Sequence, residues 1–299
     1  MMRRVAAGLL GLLLLAACGG DGGGSSPSPA AKPAAVKLSV PLPDKIKTAG
    51  KLSVGVKCDY PPFGYTDESG KVVGYEIDVV HKLAEYAFGD ANAVNLQCVT
   101  SANRISFLTT NRIDLIVATI TYTPERAKTI AFSDPYFSAG GRLLEPKDST
   151  VKDAKDLAGK TAVTSKGSVY VTYFQKCVPQ ANLLQFESTA DALAAVTQGR
   201  AQAFMQDDTL LVGLQKQNPN LKVAGPAVAA APWGMGVRLE DKDLQAWVNA
   251  ALAQMQKDDF NWRNFQKWIT DKDTQQKFSD SVPRPNHSLK YGEGPTVSC

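Results

Sequence analysis

Residues 113–120 of this 299-residue chain read Ile-Asp-Leu-Ile-Val-Ala-Thr-Ile, a β-branched run with almost no polar face. A strand of this kind has to be covered on both sides, which happens inside parallel sheets. Parallel neighbours need a crossover, usually a helix, and the chain supplies the parts. Strands are expected at 51–56, 72–75 and 95–99. Helical spacing links Ile77, Val80, Leu83, Ala84 and Ala87, ending at Gly89, and a second helix carries Ile105, Phe107 and Leu108. The same grammar returns after residue 141, with strands at 160–164, 183–186 and 201–205 and helices at 169–176, 190–196 and 210–217. Two such series predict two α/β lobes, one of which must take in a strand at 233–239 and a helix at 244–256. Ligands of open α/β sheets bind beyond the carboxyl ends of strands. That rule singles out Lys57, Tyr60, Ala118 to Thr121, Ser165 to Ser168 and Asp207.

The amino terminus sets the compartment. Arg3 and Arg4 precede an apolar run from Val5 to Ala17, too short to span a bilayer but suited to an export signal. It ends Leu15-Ala16-Ala17-Cys18, which resembles the lipobox of bacterial lipoproteins. The resemblance implies cleavage after residue 17, a lipid on Cys18, and anchorage to the outer face of the cell membrane. Residues 18–44, rich in Gly, Ser, Pro and Ala, would be a flexible tether.

Composition narrows the function. At 44% hydrophobic and 21% charged residues the body can bury a core. The net charge of +4 falls to +2 without Arg3 and Arg4, too little to imply a nucleic-acid partner. His81 and His287 lie far apart in the chain, so no histidine-rich metal site is expected, and no cofactor. Cys58, Cys98, Cys177 and Cys299 suit disulfides in an exported protein, although the sequence leaves all three pairings open.

Five stretches carry a family resemblance, in order along residues 45–275. They are Asp59-Tyr60-Pro61-Pro62-Phe63; Gly74-Tyr75-Glu76-Ile77-Asp78-Val79; Thr119 through Arg126; Phe132-Ser133-Asp134-Pro135-Tyr136; and Gly199-Arg200 through Gln206-Asp207. Gly234-Met235-Gly236-Val237 resembles the same family's returning strand. Together they resemble the family 3 solute-binding proteins, the polar amino acid receptors of ABC importers.

The resemblance implies a type II periplasmic-binding-protein-like fold, with two α/β lobes joined by crossover segments near 137–142 and 230–235. Lobe one would be 45–139 plus 232–285, lobe two 140–231, and 286–299 a tail. A monomer closing on a free amino acid is expected, with an ABC permease and its ATPase as partners. The family's sheet order implies a Cys58–Cys98 disulfide, and Cys177–Cys299 would staple the tail.

Site residues follow from the same resemblance and make chemical sense for a zwitterion. Arg126 would grip the α-carboxylate with its planar fork, and Asp207 the α-ammonium. Ala118, Thr119 and Thr121 would offer backbone and hydroxyl groups, and Ser165 and Ser168 donors near a helix start. Tyr60 and Phe63 would form aromatic walls. Glu76 and Asp78 read as charges on a solvated helix face.

Lys57 and Arg104 resemble residues of members that bind acidic amino acids. With Arg126 they would set three cations against Asp207, an excess that glutamate or aspartate would meet better than an amide. Glutamine or asparagine, a tethered sensor, and a cyclohexadienyl dehydratase-like enzyme are the alternatives; no nucleophile–base pair supports the last.

Overall fold

In a computed structural model, residues 37–228, 230–292, 297 and 299 are described. The signal run, Cys18 and most of the tether lie outside them. The strands are β1 (Leu52–Val56), β2 (Asp59–Tyr60), β3 (Gly64–Thr66), β4 (Val72–Val73), β5 (Val94–Cys98) and β6 (Leu115–Val117). They continue as β7 (Ile130–Pro146), β8 (Thr161–Ser165), β9 (Asn182–Phe186), β10 (Ala203–Asp207), β11 (Leu221–Ala224) and β12 (Ala230–Arg238). The helices begin with α1 (Asp44–Ala49), α2 (Tyr75–Phe88), α3 (Arg104–Thr109), α4 (Val169–Cys177) and α5 (Thr189–Thr197). After them come α6 (Asp208–Gln217), α7 (Lys242–Lys257), α8 (Phe260–Trp268) and α9 (Lys272–Lys277).

The sheet runs β5-β1-β6-β12-β7-β10-β8-β9, with β11 also on β7. As the apolar run demands, β1 pairs in parallel with both β5 and β6, and β8 in parallel with β9 and β10. β7 connects the two parallel groups. Its first half pairs antiparallel with β12, and its second half with β10 and β11.

This 17-residue strand was hidden in the sequence by Pro135 and the Gly140–Gly141 pair. Pro135 is tolerated because it faces Gly234 where the β7–β12 register shifts, so its missing N–H interrupts no regular ladder. The expected strand at 113–120 is shorter than its composition suggests, since β6 ends at Val117. Tyr75, expected in a strand, starts α2 instead.

α2 buries Ile77, Val80, Leu83 and Ala84 on one face and ends at Gly89 in the left-handed conformation. Its start needs Gly74, with φ 138° and no room for a Cβ, which would lie 2.3 Å from the Phe63 carbonyl oxygen.

Where β7 and β12 pass between the two groups, Phe63, Tyr75, Phe137 and Trp233 pack together, with Phe137 stacked on Trp233 at 4.7 Å. Phe63 is wholly buried here, edge-on to its neighbours. It is therefore a core residue and not the ligand wall expected of it.

Leu38, Val40 and Leu42, placed in the tether by composition, pack against the core. The carboxyl-terminal stretch also docks. Tyr291 stacks on Tyr122 at 4.2 Å and donates to the Ser133 carbonyl at 2.6 Å. Cys58 is bonded to Cys98 and Cys177 to Cys299, with Cα atoms 5.5 Å and 5.2 Å apart. Among the described residues no helix is long and apolar enough to cross a membrane.

Candidate functional site

A small polar cavity of about 10 Å³ lies among the carboxyl ends of the strands. Tyr60, Ser101, Arg104, Thr119 and Thr121 line it from one parallel group, and Ser168, Val169, Tyr170, Gln206 and Asp207 from the other. That is room for about one water molecule, so the two walls lie nearly in contact.

Asp207 ends β10 and is buried. Two tyrosine hydroxyls donate to it: Tyr60 to Oδ2 at 2.5 Å and Tyr170 to Oδ1 at 2.6 Å. Burial nevertheless pushes its carboxyl up to about 6, because desolvation outweighs both hydrogen bonds. Gln206 completes this wall, donating to Ser165 Oγ at 2.8 Å while accepting the Asp207 N–H at 3.1 Å. Ser165 is thus a support behind the cavity and does not line it. Ser168 is the residue before α4, and its hydroxyl lies 3.1 Å from that of Thr164.

Across from Asp207 the chain leaves β6 through Thr119, whose φ of 47° is rare for a β-branched residue. Glu76 holds the turn: its Oε1 accepts the Thr119 N–H at 2.7 Å and also the Tyr136 hydroxyl. Glu76 is fully buried, which corrects its reading as a solvated helix charge. Desolvation lifts its carboxyl to about 7, against the pull of those two bonds and of Arg104 and Lys57. Asp78 is not simply solvated either, since it accepts from Lys267 at 2.6 Å and the Trp268 indole at 2.7 Å.

The cations occupy different places. Arg104, 2% exposed, lines the cavity and donates to the Ala118 carbonyl, so Ala118 serves as its anchor. Burial depresses it to about 10, opposed by Asp207 and Glu76. Arg126 lies beside the cavity, donating to the Thr121 carbonyl at 2.7 Å and to the Gly167 carbonyl of the opposite group at 2.9 Å. Burial and the nearby Arg104 charge lower it to about 9, so both stay protonated at neutral pH. Lys57, buried behind the cavity, pairs with Asp59 at 3.1 Å, and burial lowers its pKa against that pull.

Asp59 and Glu76 therefore correct the charge count. Three cations (Lys57, Arg104, Arg126) face three carboxylates (Asp59, Glu76, Asp207), not one, while Asp208 beside Asp207 has its own cations in Arg142 and Lys277. Sequence reasoning missed Tyr170 and Glu76 because helical spacing explained both positions without a ligand. Among the described residues no cluster of His, Cys, Asp and Glu could hold a metal ion.

Two α/β groups joined by long antiparallel strands, closing over buried charges at their strand ends, define a two-lobe ligand-binding protein of the type II periplasmic fold. A family model for bacterial extracellular solute-binding proteins, family 3, matches residues 52–271, and the chain belongs to that family. It is 40% identical to a glutamine-binding protein of Geobacillus stearothermophilus, over 79% of this chain and 90% of that one. A glutamate/aspartate import solute-binding protein of Salmonella typhimurium is 30% identical, over 83% of each chain. The crystal structure of a cysteine-binding protein from Campylobacter jejuni superposes with a TM-score of 0.74 at 32% identity, covering 76% of this chain and 92% of that one.

Proposed function

We propose that this chain is an extracytoplasmic receptor, lipid-anchored through Cys18, that binds a free amino acid whose side chain ends in a carboxylate or carboxamide. Lobe one would be 45–139 plus 232–285 and lobe two 140–231, closing as a monomer and delivering the ligand to an ABC permease and its ATPase. The observation that carries the reading is the opposition, at one cavity, of Asp207 to Arg104 with Arg126 alongside. An α-ammonium needs a buried anion and an α-carboxylate a buried cation, because an unpaired buried charge is strongly disfavoured.

The balanced set of three cations and three carboxylates removes the ground for an exclusively acidic ligand. With Glu76 ionised the walls carry no excess charge and suit glutamine or asparagine. With Glu76 protonated one cation is left over and suits glutamate or aspartate. Relatives named for both classes support this breadth. Binding is favoured over catalysis by the placement of the histidines: His81 Nδ1 lies 2.6 Å from the Ala91 carbonyl and His287 Nε2 2.9 Å from that of Asp280, neither at the cavity.

Calorimetry with the twenty amino acids tests the reading. Glutamate, aspartate, glutamine and asparagine are expected to bind best, and both Arg126→Ala and Asp207→Ala to abolish binding of all four. Preference for a cationic or aliphatic amino acid would overturn it. Permease and ATPase genes beside this one would favour transport over sensing.

A further inference from the structure

Glu76 reaches the cavity only through its neighbours. Its Oε1 accepts from Thr119, a lining residue, and from Tyr136, while its buried Oε2 has no hydrogen-bond partner. Titratable and charged groups face it from each element packed around it. These are Lys57 after β1, Tyr60 on β2, Tyr75 beside it on α2, Arg104 on α3 and Tyr136 on β7.

We propose that Glu76 decides between a side-chain carboxylate and a side-chain carboxamide: ionised, it balances the cations around the cavity and favours the amide; protonated, it leaves one cation over and favours the acid. The inference rests on the receptor reading above and adds the residue that sets its selectivity.

The direction follows from electrostatics. An ionised Glu76 and a ligand carboxylate would compete for the same buried cation, Arg104, and like charges in a desolvated site oppose each other's ionisation. With the Glu76 carboxyl near 7, both of its forms are populated at neutral pH. Linkage makes the effect reciprocal: a proton on Glu76 strengthens the acid's binding by the factor by which the acid strengthens the proton's. Asp207 also titrates in this range and also acts on Arg104, so the share that belongs to Glu76 is the part of the pH dependence that Glu76→Gln removes. The side chain of free glutamate, with a pKa of about 4.3, stays ionised above pH 5.5.

Calorimetry of glutamate and glutamine binding from pH 5.5 to 8.5, on wild type and Glu76→Gln, tests the proposal. In wild type the preference for glutamate over glutamine is expected to fall by about tenfold as pH rises, an ordinary coupling between sites. In Glu76→Gln the slope should shrink to the share left by Asp207, with glutamate favoured throughout. Carbon-13 NMR of side-chain-labelled wild type supplies a reading that needs no variant: glutamate should raise the pKa of the Glu76 carboxyl, and glutamine should not. A constant ratio in wild type, an undiminished slope in Glu76→Gln, or equal NMR shifts with both ligands would overturn the inference alone. No heat from either ligand at any pH would overturn the receptor reading, and this inference with it.

Discussion

Tyr60 donates its hydroxyl to Asp207 at 2.5 Å across the cleft, joining residues 147 positions apart in the chain. With Tyr170 on the other oxygen, it keeps a buried carboxylate chargeable without committing a cation to it. Tyr60→Phe is expected to weaken ligand binding by about tenfold to a hundredfold, the usual worth of a hydrogen bond to a charged group. It should also shift the acid limb of binding to higher pH, since the bond it removes holds the Asp207 carboxyl down. Calorimetry from pH 5 to 8 reads both effects, and an unchanged affinity with an unchanged limb would refute the role.

Stability of the ligand-free protein should fall as pH rises. Asp207 and Glu76 have folded-state values of about 6 and about 7, above their ordinary values of 3.8 and 4.5. A folded value raised above the unfolded one means that the native state holds the extra proton. The contribution is full below the unfolded value and lost as pH rises through the folded one. Each group is expected to remove about 1.4 kcal/mol per pH unit inside its window. Urea titrations should show the apo protein more stable at pH 5 than at pH 8, with the slope reduced in Asp207→Asn and in Glu76→Gln. A wild-type stability that rises across that range would contradict the assignment.

Phe63 separates packing from recognition. Because it is enclosed by Tyr75, Phe137 and Trp233, Phe63→Ala should cost about 3–5 kcal/mol of stability. Phe63→Leu, closer in volume, should recover much of that and leave amino acid affinity within a few-fold of wild type. Thermal melts and calorimetry on the pair decide the matter. Loss of affinity in a stably folded Phe63→Leu would restore the aromatic-wall role.

Gly167 lets the two sides of the cleft approach closely. Its φ is 76°, and a Cβ there would lie 2.7 Å from the Ser101 carbonyl oxygen on the opposite side of the cleft. Gly167→Ala is expected to hold the lobes apart, weakening binding by more than about tenfold, with the added strain of a left-handed alanine. Small-angle scattering with saturating glutamine should show a larger radius than for wild type. An equally compact, equally tight-binding variant would show that the contact gives way.

Much of the molecule was legible in the residue order because its signals are local. The two-face apolar run at 113–120 demanded a parallel sheet, and the spacing of Ile77, Val80, Leu83 and Ala84 demanded a helix. The rule that ligands gather at strand ends then located Tyr60, Thr119, Thr121, Ser168 and Asp207, all of which line the cavity. What the order could not carry was which charges meet. Lys57 finds Asp59 two residues on, Glu76 turns inward from a helix whose sequence allowed it either way, and β7 runs straight through Pro135 because β12 shifts register opposite it. Phe63 went to the core instead of the ligand by the same kind of decision. Burial and pairing are properties of the assembled neighbourhood. An ionisable side chain takes its charge state, and so its part in selecting a ligand, from groups brought beside it by distant parts of the chain.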